Sequence, residues 1–337
     1  MKRIKVGLNG FGRIGRAFTR IAMMRDTFDL VAINTRHADP VMSAYLLQHD
    51  STYRLYGKHV SSNENAIMVD GKEIKMLENA DPTTIPWGDL GVDVVVDATG
   101  AFTKKPDLEA HIKAGAKKVI LTAPSKDDET PHVVLGVNDT NFDFQSCSVI
   151  SNCSCTTNCA SPMFKVVHDK FKVISGFLTT VHAYTQTQSL QDDALKDVER
   201  SRSAPQNIVP STTGAAKAVV KTIPELEGKI DGMAMRVPVP VGSFTDCSMI
   251  VEKPTTKEEV NAAFKEAAEG PMKGFLGYET EILVSTDYIG NPNSCTFDSN
   301  YTKVINGNLV KVFGWYDNEW GYSCRVVDLV EKVSDFV

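Results

Sequence analysis

Lys5-Val6-Gly7-Leu8-Asn9-Gly10-Phe11-Gly12-Arg13-Ile14-Gly15 is the stretch that decides the fold. A short apolar strand, Ile4 to Leu8, runs directly into a G-x-G-x-x-G turn, and Ile14 to Met24 continues as an amphipathic helix. Glycines at 10, 12 and 15 permit a tight turn, close approach of backbone to a pyrophosphate, and close helix–strand packing. The helix start then offers N–H groups and a positive dipole end to the negative charge. Glycine turns between strand and helix are common, so the strand–turn–helix context is what makes this one a dinucleotide site.

Working outward, Leu30–Ile33, Val92–Asp97, Val119–Thr122, Val133–Leu135 and Val149–Ile150 read as further strands, with Asp107–Ala116 as a crossover helix. That alternation predicts an α/β fold built on a Rossmann-type, doubly wound, mostly parallel sheet over residues 1–152. Beyond it the pattern changes. Phe177–Thr185, Met233–Val241, Thr245–Val251, Leu283–Asp287 and Leu309–Trp315 alternate like strands of a mixed or antiparallel sheet. A long polar loop, Gln186–Gln206, follows the first of these, and Lys257–Glu269 reads as an exposed helix capped by Thr255 or Thr256. The second domain is thus an α+β unit over 153–321, and a terminal amphipathic helix within 322–337 is expected to pack back onto the first.

The chain has 337 residues, enough for two domains, and its 42% hydrophobic and 23% charged residues are those of an ordinary globular protein. A net charge of −6 without a long basic run argues against a nucleic-acid groove. No stretch approaches the ~20 apolar residues of a membrane span, and Met1-Lys2-Arg3-Ile4 leads into a strand rather than a signal peptide. A cytoplasmic protein is expected. Seven cysteines, an odd number without framework spacing, imply reduced thiols. Cys147, Cys153, Cys155 and Cys159 cluster, yet their spacing does not suit a zinc site, and no metal is expected.

Cys155 lies where the apolar run Ser148–Ile150 gives way to a helix continuing through Ser161-Pro162-Met163-Phe164. A helix start favours the nucleophilic thiolate, and Ser154 and Asn152 are natural caps. The alternative is plain packing under a capped helix. A nucleophilic thiol needs a base. Of seven histidines, His182 alone interrupts a strand that would run back beside the Cys155 helix; His168 sits too far along that helix. At the end of the second strand, about 20 residues past Gly15, an acidic residue would bind an adenosine ribose. Asn34-Thr35-Arg36-His37 stands there instead, with no carboxylate and a cation. Threonine and arginine suit a ribose 2′-phosphate, so NADP or dual use competes with NAD, the alternative being a solvated Arg36 beside an ordinary ribose.

Six motifs together resemble phosphorylating glyceraldehyde-3-phosphate dehydrogenase: Asn9–Arg16, Ser154–Cys159, Thr180–Thr185, Ser211–Ala218, Met235–Pro238 and Trp315–Tyr322. They fall in order along essentially the whole chain. The resemblance implies that Cys155 attacks the aldehyde carbon of glyceraldehyde 3-phosphate, that His182 takes the thiol proton, and that inorganic phosphate cleaves the resulting thioester. It assigns Thr185 and Arg236 to the substrate phosphate, and Ser154, Thr156, Thr213 and Gly214, with Arg200 nearby, to the incoming phosphate. It places Gly10, Gly12, Arg13, Ile14, Gly15, Asn34, Thr35, Arg36, Thr99 and Thr122 along the dinucleotide, and Asn318 at the nicotinamide carboxamide. A homotetramer is implied, with the Gln186–Gln206 loop across an interface.

Departures bear on the cofactor. NAD-specific members carry aspartate where Thr35 stands, Leu-Pro where Asp193-Ala194 aligns, and often arginine where Ala80 lies. Cys153 replaces the usual alanine. The nearest alternative activity is that of an erythrose-4-phosphate dehydrogenase of the same fold. A cysteine hydrolase without redox chemistry would have no use for the glycine turn.

Overall fold

A computed structural model describes residues 3–337, which fold as two compact units. The first holds 3–133, 141–153 and 323–337; the second holds 134–140 and 154–322. Residues 1 and 2, part of the Met1–Ile4 start read above, lie outside the described residues.

In the first unit the opening stretch folds as β1 (Lys5–Asn9), turn, and α1 (Arg13–Arg25). Then come β2 (Asp29–Asn34), α2 (Pro40–Gln48), β3 (Val60–Ser62), β4 (Ala66–Val69) and β5 (Lys72–Leu77). β6 (Val94–Asp97), α3 (Lys105–Lys113), β7 (Lys118–Leu121) and β8 (Val149–Ser151) complete its sheet, ordered β8-β7-β6-β1-β2-β5-β4-β3. Pairing is parallel from β8 to β5 and antiparallel at the β5-β4-β3 edge. The central strands are buried on both faces and read as unbroken apolar runs, as parallel strands do. Trp87, fully buried, anchors one face among Ile85, Val95, Leu108 and Val119. Burying such a side chain contributes about 1.5–3 kcal/mol.

In the second unit α4 (Cys155–Phe171) precedes β9 (Val173–Ala183), β10 (Val209–Thr212), α5 (Ala215–Thr222), β11 (Ile230–Val237) and β12 (Ser243–Val251). α6 (Lys257–Glu269), β13 (Leu276–Glu279), β14 (Cys295–Asp298), β15 (Lys303–Ile305) and β16 (Leu309–Tyr316) follow. The sheet runs β10-β11-β9-β12-β16-β14-β13, with β15 also on β16, and mixes parallel and antiparallel pairs. α4, α5 and α6 bury their apolar faces on it around Met163, Phe164, Val219, Phe264 and Phe297. α6 starts with a capping box, Thr256 to Glu259, at the expected residue. α7 (Trp320–Val333) begins in the second unit and runs into the first, where Asp328 pairs with Arg25 and Phe336 stacks on Phe144.

Three expectations change. Val133–Leu135 is buried but not a strand: Asn138 Oδ1 accepts from the Val134 N–H and turns the chain, and 134–140 belongs to the second unit rather than to a 1–152 domain. Leu283–Asp287 is a 3₁₀ turn over Ser285–Tyr288, closed by Asp287 accepting from Val284 N at 2.8 Å. The edge strands β3 to β5 are additional to those expected; β3 and β5 are half-exposed, while β4 is a four-residue apolar run, mostly buried. No helix of the described residues is long and apolar enough to cross a membrane.

Candidate active site

Cys155 is the first residue of α4. Ser154 caps that helix, its Oγ accepting from Thr157 N at 3.0 Å, while Asn158 Nδ2 holds the Ser154 carbonyl at 3.0 Å. The half-buried Cys155 Sγ lies 3.4 Å from His182 Nε2. His182 and Arg236 are direct partners in the parallel β9/β11 ladder, which sets them on one face. Arg236 Nη1 reaches His182 Nδ1 at 2.6 Å and donates to the Ala183 carbonyl at 3.1 Å. That carbonyl is also 2.7 Å from Nδ1. With the imidazole proton on Nδ1, donating to that carbonyl, the Nε2 lone pair faces the thiol.

The electrostatics follow from this packing. Burial, with the Arg236 charge adding to it, pushes the His182 imidazole down to about 3 and keeps it neutral. Burial pushes the Cys155 thiol up to about 11, although Arg236 and hydrogen bonds from Thr156 pull the other way. A lowered thiol was expected from the helix start; burial pushes it the other way. The resting pair is a thiol and a free base.

Around it the hydroxyls sort into two roles. Thr156 turns its Oγ1 onto Tyr316 Oη at 3.0 Å, and Tyr316 in turn meets Thr180 Oγ1 at 2.8 Å. The Thr156 hydroxyl is thus held between the Tyr316 phenol and the Cys155 thiol. Thr213 Oγ1 accepts from Ala215 N at 3.1 Å, and Gly214 caps α5. Thr185 Oγ1 meets Thr187 Oγ1 at 2.9 Å, and Arg200 Nη1 donates to Thr187 at 3.3 Å, so Thr187 joins two residues that sequence reasoning treats separately. Sequence reasoning misses Thr187 and Tyr316 as site residues, though Tyr316 lies inside the Trp315–Tyr322 motif. Asn318 Oδ1 accepts from Gly242 N and Ser243 Oγ, leaving Nδ2 as its donor.

The first unit carries the dinucleotide candidates. Gly10 has φ +101°, and a Cβ there would sit 2.7 Å from the Ala98 carbonyl carbon; one on Gly15 would sit 2.1 Å from Gly10 O. A Cβ on Gly12 would meet nothing within 4 Å, so the turn is open on that side. Gly12 caps α1 without a side chain, and no acidic residue lies in its first turn, where Arg13 pairs with Asp50 and Ile14 follows. This cradle fits a pyrophosphate. Asn34 ends β2, Thr35 Oγ1 donates to the Arg36 carbonyl at 3.3 Å, and Arg36 is exposed. Thr99 and Thr122 follow β6 and β7. All seven cysteines are free, His168 Nδ1 accepts from Val173 N, and no metal-holding cluster occurs among the described residues.

A glycine-turn dinucleotide fold joined to a second domain with a cysteine–histidine pair defines a class, the dinucleotide-dependent oxidoreductases. Residues 4–105 match the family model described as glyceraldehyde 3-phosphate dehydrogenase, NAD binding domain, and 154–318 match its C-terminal domain. Glyceraldehyde-3-phosphate dehydrogenase 2 of Streptomyces avermitilis is 50% identical over 333 residues, covering 98% of this chain and 99% of that one. The glyceraldehyde-3-phosphate dehydrogenase of Geobacillus stearothermophilus is 50% identical over 331 residues, 98% of each chain, and that of Streptomyces coelicolor is 51% identical over 334 residues, covering 98% of this chain and 99% of that one. The chain belongs to the glyceraldehyde-3-phosphate dehydrogenase family.

Proposed function

We propose that this chain oxidises glyceraldehyde 3-phosphate, with a dinucleotide and inorganic phosphate, to an acyl phosphate, and that the reaction is reversible. The observation that carries the reading is the Cys155 Sγ–His182 Nε2 contact of 3.4 Å at a capped helix start. Cys155 adds to the aldehyde carbon as its proton moves to Nε2, giving a thiohemiacetal. The imidazolium so formed and the Cys155 backbone N–H hydrogen-bond the oxyanion. The chemistry a bound oxidised nicotinamide supplies is hydride acceptance, and the species left on Cys155 is a thioester. Phosphate held by Ser154, Thr156, Thr213 and Gly214, with Arg200 nearby, cleaves it. Thr185 and Arg236 grip the substrate phosphate, with Thr187 bracing Thr185. Arg236, touching the base, couples that grip to the chemistry. In this scheme the first unit binds the cofactor, and Asn318 Nδ2 holds its carboxamide.

The cofactor reading favours NADP or dual use: Arg36 stands exposed beside Thr35, although the Glu78 carboxylate is close by, accepting from His37 N at 3.2 Å. The test compares kcat/KM for the two dinucleotides. A Thr35→Asp chain should shift the ratio toward NAD by about tenfold, the worth of one charge-assisted contact; a strong NAD preference unmoved by that change would refute the role of Thr35 and Arg36. Comparing turnover on glyceraldehyde 3-phosphate and erythrose 4-phosphate, each with and without phosphate, separates the two substrates.

A homotetramer is supported by apolar side chains left exposed: Leu190, Val198 and Ile208 in or beside the long loop, and Ile250, Leu309 and Ile305, cross-strand neighbours on the second sheet. Contiguous patches of this kind mark interfaces. A cytoplasmic location accords with this reading.

A further inference from the structure

We propose that Asp97, through Asn9, is a positioning residue for the dinucleotide, holding the glycine turn and the adenosine-side loops in one register; this rests on the cofactor reading above. Asn9, Asn34 and Asp97 end three adjacent strands, β1, β2 and β6, and Asn9 is the ladder partner of both others. Their side chains therefore share one face at the carboxyl ends of the strands, where open α/β sheets bind ligands.

All three are buried, at 3% exposure or less. The Asp97 carboxylate accepts from Asn9 Nδ2 at 2.9 Å, from His111 Nε2 at 3.2 Å, and from Thr99 N and Oγ1 at 3.1 and 2.7 Å. His111 Nδ1 is the acceptor of the Trp87 indole N–H at 3.0 Å; an indole only donates, so the imidazole proton sits on Nε2 and points to Asp97. On the other side Asn9 Oδ1 accepts from Asn34 Nδ2 at 2.8 Å. Asn34 then clasps the backbone of Asn79 twice, at 3.0 and 2.8 Å, and its own carbonyl takes the Gly10 N–H at 2.7 Å.

The chain of bonds thus ties together the glycine turn, the Thr99 turn and the Asn79 segment. The Thr99 turn is pinned by the carboxylate, and Thr99 N lies 2.8 Å from where a Gly10 Cβ would be. The Asn79 segment, next to Glu78 and Ala80, is pinned at the far end beside Thr35 and Arg36. A buried carboxylate is costly unless its lone pairs are filled. A core needing only volume would use leucine here.

The experiment is calorimetric titration of the full chain with NAD and NADP, alongside thermal melting without cofactor and alkylation of Cys155 by iodoacetamide. Asp97→Asn and Asn9→Asp should each weaken dinucleotide binding by about tenfold or more, the value of a hydrogen bond to a buried charge. The double variant restores a donor–acceptor pair and should recover part of the loss, a coupling that a double-mutant cycle reads directly. Alkylation, in the other unit, should not change. If Asp97→Asn does not fold, His111→Phe keeps a ring in place, removes one donor, and should weaken binding likewise. Variants that melt earlier yet bind the dinucleotide like the parent chain would overturn the proposal, as would singles whose losses simply add in the double. A parent chain that takes up neither dinucleotide would overturn the cofactor reading and this inference together.

Discussion

Cys155→Ser should abolish phosphorylating oxidation of the aldehyde while leaving dinucleotide binding within about twofold. Serine keeps the size and the helix cap, so α4 starts as before, with Ser154 still holding Thr157 N. What it removes is the polarisable nucleophile: a hydroxyl facing the neutral His182 is far harder to deprotonate than a thiol at the same 3.4 Å. Loss of a covalent nucleophile that acts as a unit with its base costs on the order of 10⁴-fold or more in turnover. The two measurements are steady-state turnover and calorimetric dinucleotide affinity. Turnover within tenfold of the parent chain would refute the nucleophile; a matched loss of dinucleotide affinity would point to misfolding instead.

His182→Asn should lower kcat/KM by about 10²–10⁴-fold, the span of a general base, with dinucleotide binding intact. Asparagine offers the thiol no lone pair of comparable basicity. The parent chain's pH profile follows from the same contacts. With the imidazole pushed down to about 3, its basic form persists well below the ordinary histidine range, so kcat/KM should not fall between pH 7.5 and 5.5 on its account. With the thiol pushed up, alkylation of the cofactor-free chain by iodoacetamide should still be rising at pH 9–10 rather than levelling near 8.5. A plateau below pH 7 would show that the helix start and Arg236 outweigh burial. Arg236→Leu should move the alkylation curve further alkaline, since Arg236 is the charge that lowers the thiol.

Much of this site is legible in the residues because its signals are local. The Gly10–Gly15 turn, the Ser154 cap and the Thr256–Glu259 capping box are fixed by backbone geometry within a few residues. Pairing Cys155 with His182 needs only the inference that a strand returns beside its helix. Other features arise from tertiary contacts that no spacing encodes. Tyr316 draws the Thr156 hydroxyl inward from a strand 160 residues away, and Thr187 becomes a bridge only once the loop folds Arg200 against it. The expected strand at Val133–Leu135 fails because Asn138 closes a turn there, a competition between side chain and ladder that apolar content hides. The raised thiol belongs to the same group: a helix start is visible in sequence, the depth at which it is buried is not.

The central claim is that Cys155 holds the acyl group between hydride loss and phosphate attack. Rapid mixing of the chain with glyceraldehyde 3-phosphate and oxidised dinucleotide, without inorganic phosphate, tests it most directly. The account predicts a burst of reduced-dinucleotide absorbance equivalent to the Cys155 present, then a near halt that added phosphate relieves. No burst, or a steady rate indifferent to phosphate, would contradict it.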